Sequence, residues 1–360
     1  MAELLKNMFF KRTFFENLSD EIIKIYPSFD KKKFLKLVFN NEWENKELKQ
    51  RMRHASHALN KVLPSDYKDS LGILMKASAK FCGFDAMIFS DYVEVYGIEH
   101  LQESIPALEL FTQLCSSEFA VRPFIIKYPD IMIPQMIKWS KHKNEHVRRL
   151  SSEGCRPRLP WAMALPVFKK NPAPIMPIIE ALINDRSEYV SRSVANNLND
   201  ISKDNFQIVL KFAKKWYGKN PETDKVIKHA CRGLLKQGNP EALKLFGFKC
   251  CDGITVKTFT VKPSSVKIGE KVQVTLIIEN ENIKPVKLRF EIGVYYLKSK
   301  GNHSRKVFKV SENVYKDKII TIQRMLSFEN KTVRKHLPGK HKISLIINGI
   351  EMAEKSFILK

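Results

Sequence analysis

A small set of charged and aromatic residues in the middle of the chain is suited to chemistry on a charged substrate. Arg149 and Glu153 are four residues apart, so on a helix they share one face and can pair. Trp161 ends the segment Arg-Pro-Arg-Leu-Pro-Trp, and a tryptophan flanked by arginines can present a flat π-face beside phosphate-binding charge. Asp200 ends the segment Ala-Asn-Asn-Leu-Asn-Asp, and Glu118 precedes Phe-Ala-Val-Arg-Pro. Carboxylates set among arginines serve a developing cation better than they serve phosphate.

Each of these residues also has an ordinary structural interpretation. Arg149 and Glu153 could form a surface or inter-repeat salt bridge, and Trp161 could pack in a core. Asp200 could be a helix-end or turn residue, and Glu118 could interact with the dipole at a helix N-terminus. The pattern alone leaves both interpretations open.

The segment His142-Lys-Asn-Glu-His146 matches the HxxEH motif of one class of zinc peptidase. We interpret it as a polar turn before a helix, because no further acidic ligand on a neighbouring helix is indicated. The chain also lacks GxxxxGK[ST], GxGxxG and GxSxG, so neither a phosphate-cradling loop nor a serine-hydrolase elbow is supported. We therefore expect no metal and no cofactor.

The elements that must position these residues are predicted to be helices. Up to about Gly247 the apolar residues recur at spacings of three and four, as in 131–139 and 175–183. An internal repeat starts at Val147, returns 43 residues later at Val190, and returns more faintly at Ile227. Such spacings predict HEAT-like repeats stacked into an α-α superhelix, with the repeating arginine on or near a concave binding surface.

After Gly253 the pattern changes to β-branched residues alternating with polar ones. The pair Asn348-Gly349 predicts a two-residue hairpin, because both of its turn positions need positive φ. Six to eight short strands in about 107 residues predict an all-β immunoglobulin-like sandwich, although the Cys-Trp-Cys core of antibody domains is absent. The predicted domains are 1–250 and 254–360.

Charge and length agree with two domains and an acidic partner. A chain of 360 residues exceeds the roughly 250–300 at which a single core stops growing. The formal net charge of +24 divides into +13 for residues 254–360 and +11 for the rest. There is no apolar run of membrane-spanning length and no signal peptide pattern, so we expect an intracellular location without a membrane partner. The six cysteines are expected to be reduced and mostly buried.

Three segments together resemble the AlkC branch of the AlkD-like DNA glycosylases, HEAT-repeat enzymes that remove alkylated bases from DNA. They are 117–124, 146–161 and 193–200, and the second is long and unusual enough to be highly specific. The resemblance covers the helical half. Some members of that branch also carry a C-terminal immunoglobulin-like domain, which fits residues 254–360.

The resemblance implies roles for the residues introduced above. Asp200 matches the catalytic carboxylate, Glu118 a second acidic residue of the pocket, and Trp161 the aromatic residue that packs against the deoxyribose. Arg149 and Glu153 match polar residues that shape the pocket and grip the strand carrying the lesion. We add three neighbouring arginines as candidates for DNA binding: Arg148, Arg156 and Arg158.

The function implied is monofunctional hydrolysis of the N-glycosidic bond of cationic N3-alkylated bases, 3-methyladenine and 3-methylcytosine, without a closed base-flipping pocket. The partner would be duplex DNA, the protein a monomer at the nucleoid of a prokaryotic cytoplasm, and the sandwich a clamp on the DNA. We expect no lysine beside the site in sequence, and this disfavours a lyase reaction. The alternative is a non-catalytic HEAT-repeat scaffold that binds DNA or an acidic protein.

Overall fold

Two residue patterns give two kinds of structure along the chain. The computed structural model describes residues 5–330 and 335–360. Within them, the part before residue 250 is helical and the part after 253 is made of strands, so the predicted fold class is confirmed. The α-helices are α1 Leu5–Met8, α2 Arg12–Ile25, α3 Lys31–Val38, α4 Leu48–Asn60, α5 Tyr67–Ala77, α6 Met87–Tyr96, α7 Leu101–Phe111, α8 Val121–Lys127, α9 Pro129–Trp139, α10 Glu145–Gly154, α11 Pro166–Lys170, α12 Met176–Leu182, α13 Glu188–Ile201, α14 Phe206–Trp216, α15 Pro221–Ala230, α16 Arg232–Lys236 and α17 Pro240–Leu245. Short 3₁₀ turns lie at Trp43–Asn45, Ser78–Lys80, Phe84–Ala86 and Ala173–Ile175.

Close contacts divide the chain into two compact units. The first unit runs to Asn205 and also contains Gly218–Ala230. The second contains Phe206–Tyr217 and Cys231–Lys360, so three short helices belong with the strands. The predicted domain bounds, 1–250 and 254–360, stay a prediction. No helix in the described part of the chain is long and apolar enough to cross a membrane.

The repeat predicted from sequence is seen in the first unit as neighbouring helices. Helix α10 packs on α13, and α13 packs on α15. The matching apolar positions are all buried in the packing between helices: they are Val147, Val190 and Ile227. The third copy is not one continuous helix, since α15 ends at Ala230 and α16 starts at Arg232.

Eight strands in the described part of the second unit form two sheets. One sheet has the order β1-β3-β6 and the other β2-β8-β7-β4-β5, with all neighbours antiparallel except β2 and β8. The strands are β1 Ile254–Lys262, β2 Ser265–Val266, β3 Lys271–Asn280, β4 Val286–Leu297, β5 His303–Tyr315, β6 Ile319–Ser327, β7 Gly339–Ile347 and β8 Ile350–Leu359. The predicted hairpin is confirmed, because Asn348 and Gly349 have φ of 45° and 81° and Ile347 pairs with Ile350.

The sandwich core follows from the alternation of residues along its strands. On β3 every second residue is buried, from Val272 to Ile278, and these side chains pack with Phe290 and Ile292 of β4. The six cysteines are free, as expected. The expectation that most of them are buried is wrong, since only Cys155 and Cys231 are fully buried. The other four lie in loops, where Cys82 and Cys250 are exposed and Cys115 and Cys251 are partly buried.

Candidate functional site

Four of the predicted site residues lie on or beside three helices of the first unit. Glu118 precedes α8, Arg149 and Glu153 lie on α10, and Asp200 lies in the last turn of α13. Helix α10 begins where Asn144 Oδ1 accepts a hydrogen bond from the His146 amide at 2.8 Å. Its packing holds the elements close together.

The close approach of α8 and α10 depends on a glycine at the end of α10. A Cβ added at Gly154 would lie 2.6 Å from Cγ1 of Val121, so no larger residue fits without a shift. This contact brings the turn that carries Glu118 next to the helix that carries Arg149.

Asp200 is buried and both of its oxygens face cations. Its side chain is 3% exposed. Oδ2 accepts a hydrogen bond from Nε of Arg156 at 2.8 Å and lies 2.7 Å from its Nη2, and Oδ1 accepts a hydrogen bond from Nζ of Lys203 at 2.9 Å. The Lys203 side chain is 47% exposed, whereas that of Arg156 is 10% exposed. One oxygen is therefore held rigidly, and the other is held by a side chain that can move.

Arg156 joins Asp200 to Glu153. Its Nη1 donates to Oε1 of Glu153 at 2.6 Å, and Oε2 of Glu153 accepts from Oγ of Ser193 on α13 at 2.6 Å. Burial opposes the charge of Arg156, but the carboxylates of Glu153 and Asp200 outweigh it and raise the pKa of Arg156. Arg156 is thus a charged link between two buried carboxylates.

Arg149 continues the series to Glu118. Its Nη1 donates to Oε2 of Glu118 at 2.8 Å, and its Nη2 lies 3.6 Å from Oε1 of Glu153. The helical pair Arg149–Glu153 is therefore present, with Glu118 as the closer partner. The guanidinium also lies 4.4 Å from the ring centre of Tyr189, which is 42% exposed.

Six side chains form one series of alternating charge, which we call the ion-pair network. Its members in order are Glu118, Arg149, Glu153, Arg156, Asp200 and Lys203. Three carboxylates and three cations balance, which is how buried charges are tolerated. The arrangement can hold a carboxylate in place without giving the site a large net charge.

Trp161 is exposed on the loop that follows Arg156. Its side chain is 61% exposed, and its φ of +64° lies in the left-handed region, which costs a non-glycine residue about 1–2 kcal/mol. The ordinary interpretation of Trp161 as a core residue does not fit this exposure. Its carbonyl accepts a hydrogen bond from Nζ of Lys49 at 2.7 Å.

Arg122 anchors the same loop from below. It is fully buried, and it donates to the carbonyls of Gly154 and Arg156 at 2.8 and 2.9 Å and to that of Met163 at 2.7 Å. Burial lowers the pKa of Arg122 to about 10. Arg122 therefore links Arg156, the partner of Asp200, to the loop that carries Trp161.

The other two predicted DNA-binding arginines have different surroundings. Arg148 binds Asp185 through Nε and Nη2 at 2.6 and 3.0 Å, and its Nη1 donates to the carbonyls of His142 and Lys143. Its three nitrogens are thus engaged between repeats. Arg158 pairs with Asp204 at an exposed position, with Nη2 2.6 Å from Oδ1. The DNA-binding role of both stays a prediction.

Four residues near the site were missed by sequence reasoning. Lys203 stands three residues after Asp200, so the statement that no lysine lies beside the site in sequence is wrong, and helical spacing could have identified it. Arg122, Tyr189 and Lys49 had no comparable signal, because folding alone brings them to the network or the loop.

The first three residues of the HxxEH segment form the predicted turn, whereas Glu145 and His146 already belong to helix α10. Helix α10 starts at Glu145, so His142 lies before it, and its Nδ1 accepts a hydrogen bond from the Asn144 amide at 3.0 Å. His146 packs with Tyr189 at a ring distance of 5.6 Å. The two histidines thus have separate partners. Within residues 5–330 and 335–360, no group of three or more His, Cys, Asp or Glu side chains is placed to hold a metal ion.

Comparisons with known proteins agree with the resemblance. The family model "DNA alkylation repair enzyme" matches residues 99–234, and that of the C-terminal Ig-like domain of the uncharacterised protein YhaZ matches 255–360. The uncharacterized protein YhaZ of Bacillus subtilis (strain 168) is 46% identical over 325 residues, 90% of each chain.

A solved structure covers nearly the whole chain. It is the alkylpurine DNA glycosylase AlkC of Pseudomonas fluorescens, bound to DNA containing an abasic site analog. The identity is 34%, the TM-score is 0.94, and the match covers 99% of this chain and 100% of that one. Such identity over both the helices and the sandwich shows a common family. The chain belongs to the AlkC family of DNA alkylation repair enzymes.

Proposed function

We propose that this protein is a monofunctional DNA glycosylase that hydrolyses the N-glycosidic bond of cationic N3-alkylated bases, 3-methyladenine and 3-methylcytosine, in duplex DNA. The observation that carries the proposal is the buried carboxylate of Asp200, held on one oxygen by Arg156 and on the other by the half-exposed Lys203. The similarity to an alkylpurine DNA glycosylase supports it.

The chemistry requires little beyond a fixed carboxylate. An N3-alkylated adenine or cytosine is already cationic, so it leaves without protonation by a general acid. The sugar then develops positive charge at C1′, which a carboxylate stabilises while it positions a water. Asp200 supplies that carboxylate, and Glu118, 15% exposed, is the second one. The exposed face of Trp161 packs on the deoxyribose and favours its positive charge.

Lys203 has a specific part in this proposal. It neutralises Oδ1 of Asp200 in the free protein, and its exposed stem lets it turn toward a DNA phosphate. That movement leaves Oδ1 open to the developing sugar cation. Pairing with a carboxylate or a phosphate keeps the amine from attacking the sugar, which favours hydrolysis over a lyase reaction.

The remaining residues are assigned to support and grip. Arg149 and Glu153 hold Glu118 and Arg156 in place, and Arg156 positions Asp200. Arg158 and Arg148 are assigned to the DNA backbone, with Arg158 the more accessible of the two. Since Trp161 is exposed, the lesion can be engaged without rotation into a closed pocket, and its own charge supplies part of the selectivity. The protein would act as a monomer on chromosomal DNA in the cytoplasm at the nucleoid.

Methylated duplex DNA tests the activity directly. We expect the protein to release free 3-methyladenine and 3-methylcytosine, measured by chromatography and mass spectrometry, and to leave intact abasic strands. Borohydride added during the reaction should trap no covalent protein–DNA adduct. If no base is released above background while DNA is bound, the non-catalytic scaffold is the correct reading; a trapped adduct would contradict monofunctional hydrolysis.

The sandwich is proposed to clamp DNA through one of its ends, which we call the basic end. Seven exposed lysines lie there, near the start of β3, β5 and β7 and the end of β1 and β4. The acidic residues at this end are Glu270 and Glu329. The lysines are Lys262, Lys267, Lys271, Lys298, Lys300, Lys335 and Lys340. No ion pair with a carboxylate is formed by any of them within the described residues.

The opposite end of the sandwich is mixed in charge and faces helices of its own unit. There Asn348 Nδ2 donates to the Lys249 carbonyl at 2.9 Å, and Lys287 Nζ donates to that of Phe246 at 2.8 Å. The carboxylates Glu279, Glu281 and Asp317 accompany its lysines. Positive charge is therefore concentrated at the end that those helices leave open.

Salt dependence tests the clamp. Replacing Lys298, Lys300 and Lys340 together by glutamine should weaken binding to undamaged duplex. The slope of log affinity against log salt should fall by about 2–3, because each lost phosphate contact releases about 0.9 fewer counterions. The matched triple at the opposite end, Lys284, Lys316 and Lys318, should leave the slope unchanged. Equal effects of the two triples would contradict a clamp at the basic end.

A further inference from the structure

The backbone at Trp161 has little support from the residues directly beside it. A bulky aromatic residue at φ of +64° is an outlier that persists only when its surroundings fix it. Within the loop, the Ala162 amide reaches the Leu159 carbonyl at 3.4 Å, a long hydrogen bond. The exposed indole makes little packing to hold the conformation.

Lys49 supplies a contact at this position from a distant part of the chain. Its Nζ donates to the Trp161 carbonyl at 2.7 Å, a contact between residues 112 positions apart. The same Nζ lies 4.4 Å from the ring centre of Phe119, the neighbour of Glu118. One ammonium group therefore touches both the Trp161 backbone and the turn that carries Glu118.

Lys49 is itself well placed and has no competing ion pair. It lies in the first turn of α4, where the Glu47 amide donates to Oε1 of Gln50 at 2.8 Å and fixes the helix start. Within the described residues it forms no ion pair with a carboxylate, whereas its neighbour Lys46 is bound to Glu42 at 2.7 Å. Its charge is thus committed to the carbonyl and the aromatic face.

We propose that Lys49 is a positioning residue for Trp161: it fixes the left-handed turn, and so sets where the indole face stands relative to the deoxyribose. The inference rests on the proposed role of Trp161 in excision. Lys49 touches no reacting atom. Its removal should free the turn to relax to ordinary φ and displace the indole, while the ion-pair network around Asp200 keeps its contacts.

Two measurements on the full-length protein test this role. Lys49→Met should lower the single-turnover excision rate constant on methylated duplex by about tenfold or more, since small misplacement of a positioning group is costly. Affinity for undamaged duplex should change little. Trp161 is the exposed one of four tryptophans, and subtracting the signal of Trp161→Phe isolates its fluorescence. In Lys49→Met, acrylamide quenching of Trp161 should rise and its fluorescence anisotropy should fall.

Conservative and neighbouring variants complete the test. Lys49→Arg keeps a cationic donor and should restore both the rate and the quenching. Lys46→Met removes a lysine of similar exposure near the same helix start and should behave as wild type. If Lys49→Met fails to fold, Lys49→Gln, which keeps a donor without the charge, should give an intermediate rate.

Three outcomes would overturn the inference. The first is that quenching and rate are unchanged in Lys49→Met. The second is that Lys49→Met loses only DNA affinity and has a shallower salt slope, which would indicate a phosphate contact. The third is that Lys49→Arg does not restore the rate. Trp161→Ala separates this failure from failure of the proposed function. If that variant excises normally, the role of Trp161 is wrong; if it is inactive while Lys49→Met is unaffected, only the role of Lys49 is wrong.

Discussion

Replacing Asp200 by asparagine is expected to lower the excision rate constant by about 10³-fold or more while duplex DNA is still bound. Asparagine has nearly the same shape and can still accept a hydrogen bond from Arg156, but it carries no negative charge for the developing sugar cation. The measurement is single-turnover release of 3-methyladenine, with binding to undamaged duplex measured in parallel.

The matched control for this variant lies four residues further along the chain. Asp204 is a carboxylate of the same region, but it is paired with the exposed Arg158 and lies outside the ion-pair network. Asp204→Asn should retain excision. Full activity in Asp200→Asn would show that the catalytic carboxylate has been misassigned, and Glu118→Gln would then be the next variant to measure.

Replacing Arg156 by methionine is expected to have the largest effect on stability. Arg156 neutralises Glu153 and Asp200, whose side chains are 6% and 3% exposed. Removing the shared partner leaves two buried carboxylates underpaired, which should lower the free energy of unfolding by about 3–5 kcal/mol. Excision should also be lost, because Asp200 is no longer held. Urea unfolding and the excision assay measure the two effects.

An exposed ion pair of the same type provides the control for this variant. Arg158→Met, which breaks a pair at side-chain exposures of 36% and 29%, should cost within about 1 kcal/mol. A deficit for Arg156→Met as small as that of Arg158→Met would mean that the network does not stabilise the fold.

The sequence was most informative where a local rule has one structural solution. Asn348 and Gly349 predicted a two-residue hairpin because few other residues accept positive φ at both positions, and both φ values are positive. The spacing of Arg149 and Glu153 predicted a shared helical face, and they lie 3.6 Å apart. The same helical spacing rule predicts that Lys203, three residues after Asp200, lies beside it.

Local rules did not extend to partners distant in sequence. Arg148 and Arg149 are adjacent, yet one binds Asp185 between repeats and the other binds Glu118. Nothing in their own spacing distinguishes them, because the choice depends on which loop packs beside each face of α10. The third copy of the repeat is the faintest in sequence, and its helix is interrupted at Cys231, which the spacing alone does not reveal.

The chain's amino-acid order by itself determined the helices, the strands and the hairpin, and it nominated the residues that we propose act on a charged sugar. Periodicity and turn chemistry are local, so they can be read without knowing the fold. Only the tertiary structure decided that Glu118, Glu153 and Asp200 share one alternating network. Only it decided that Lys49 supports the strained turn at Trp161, because such contacts join residues tens of positions apart and arise from packing.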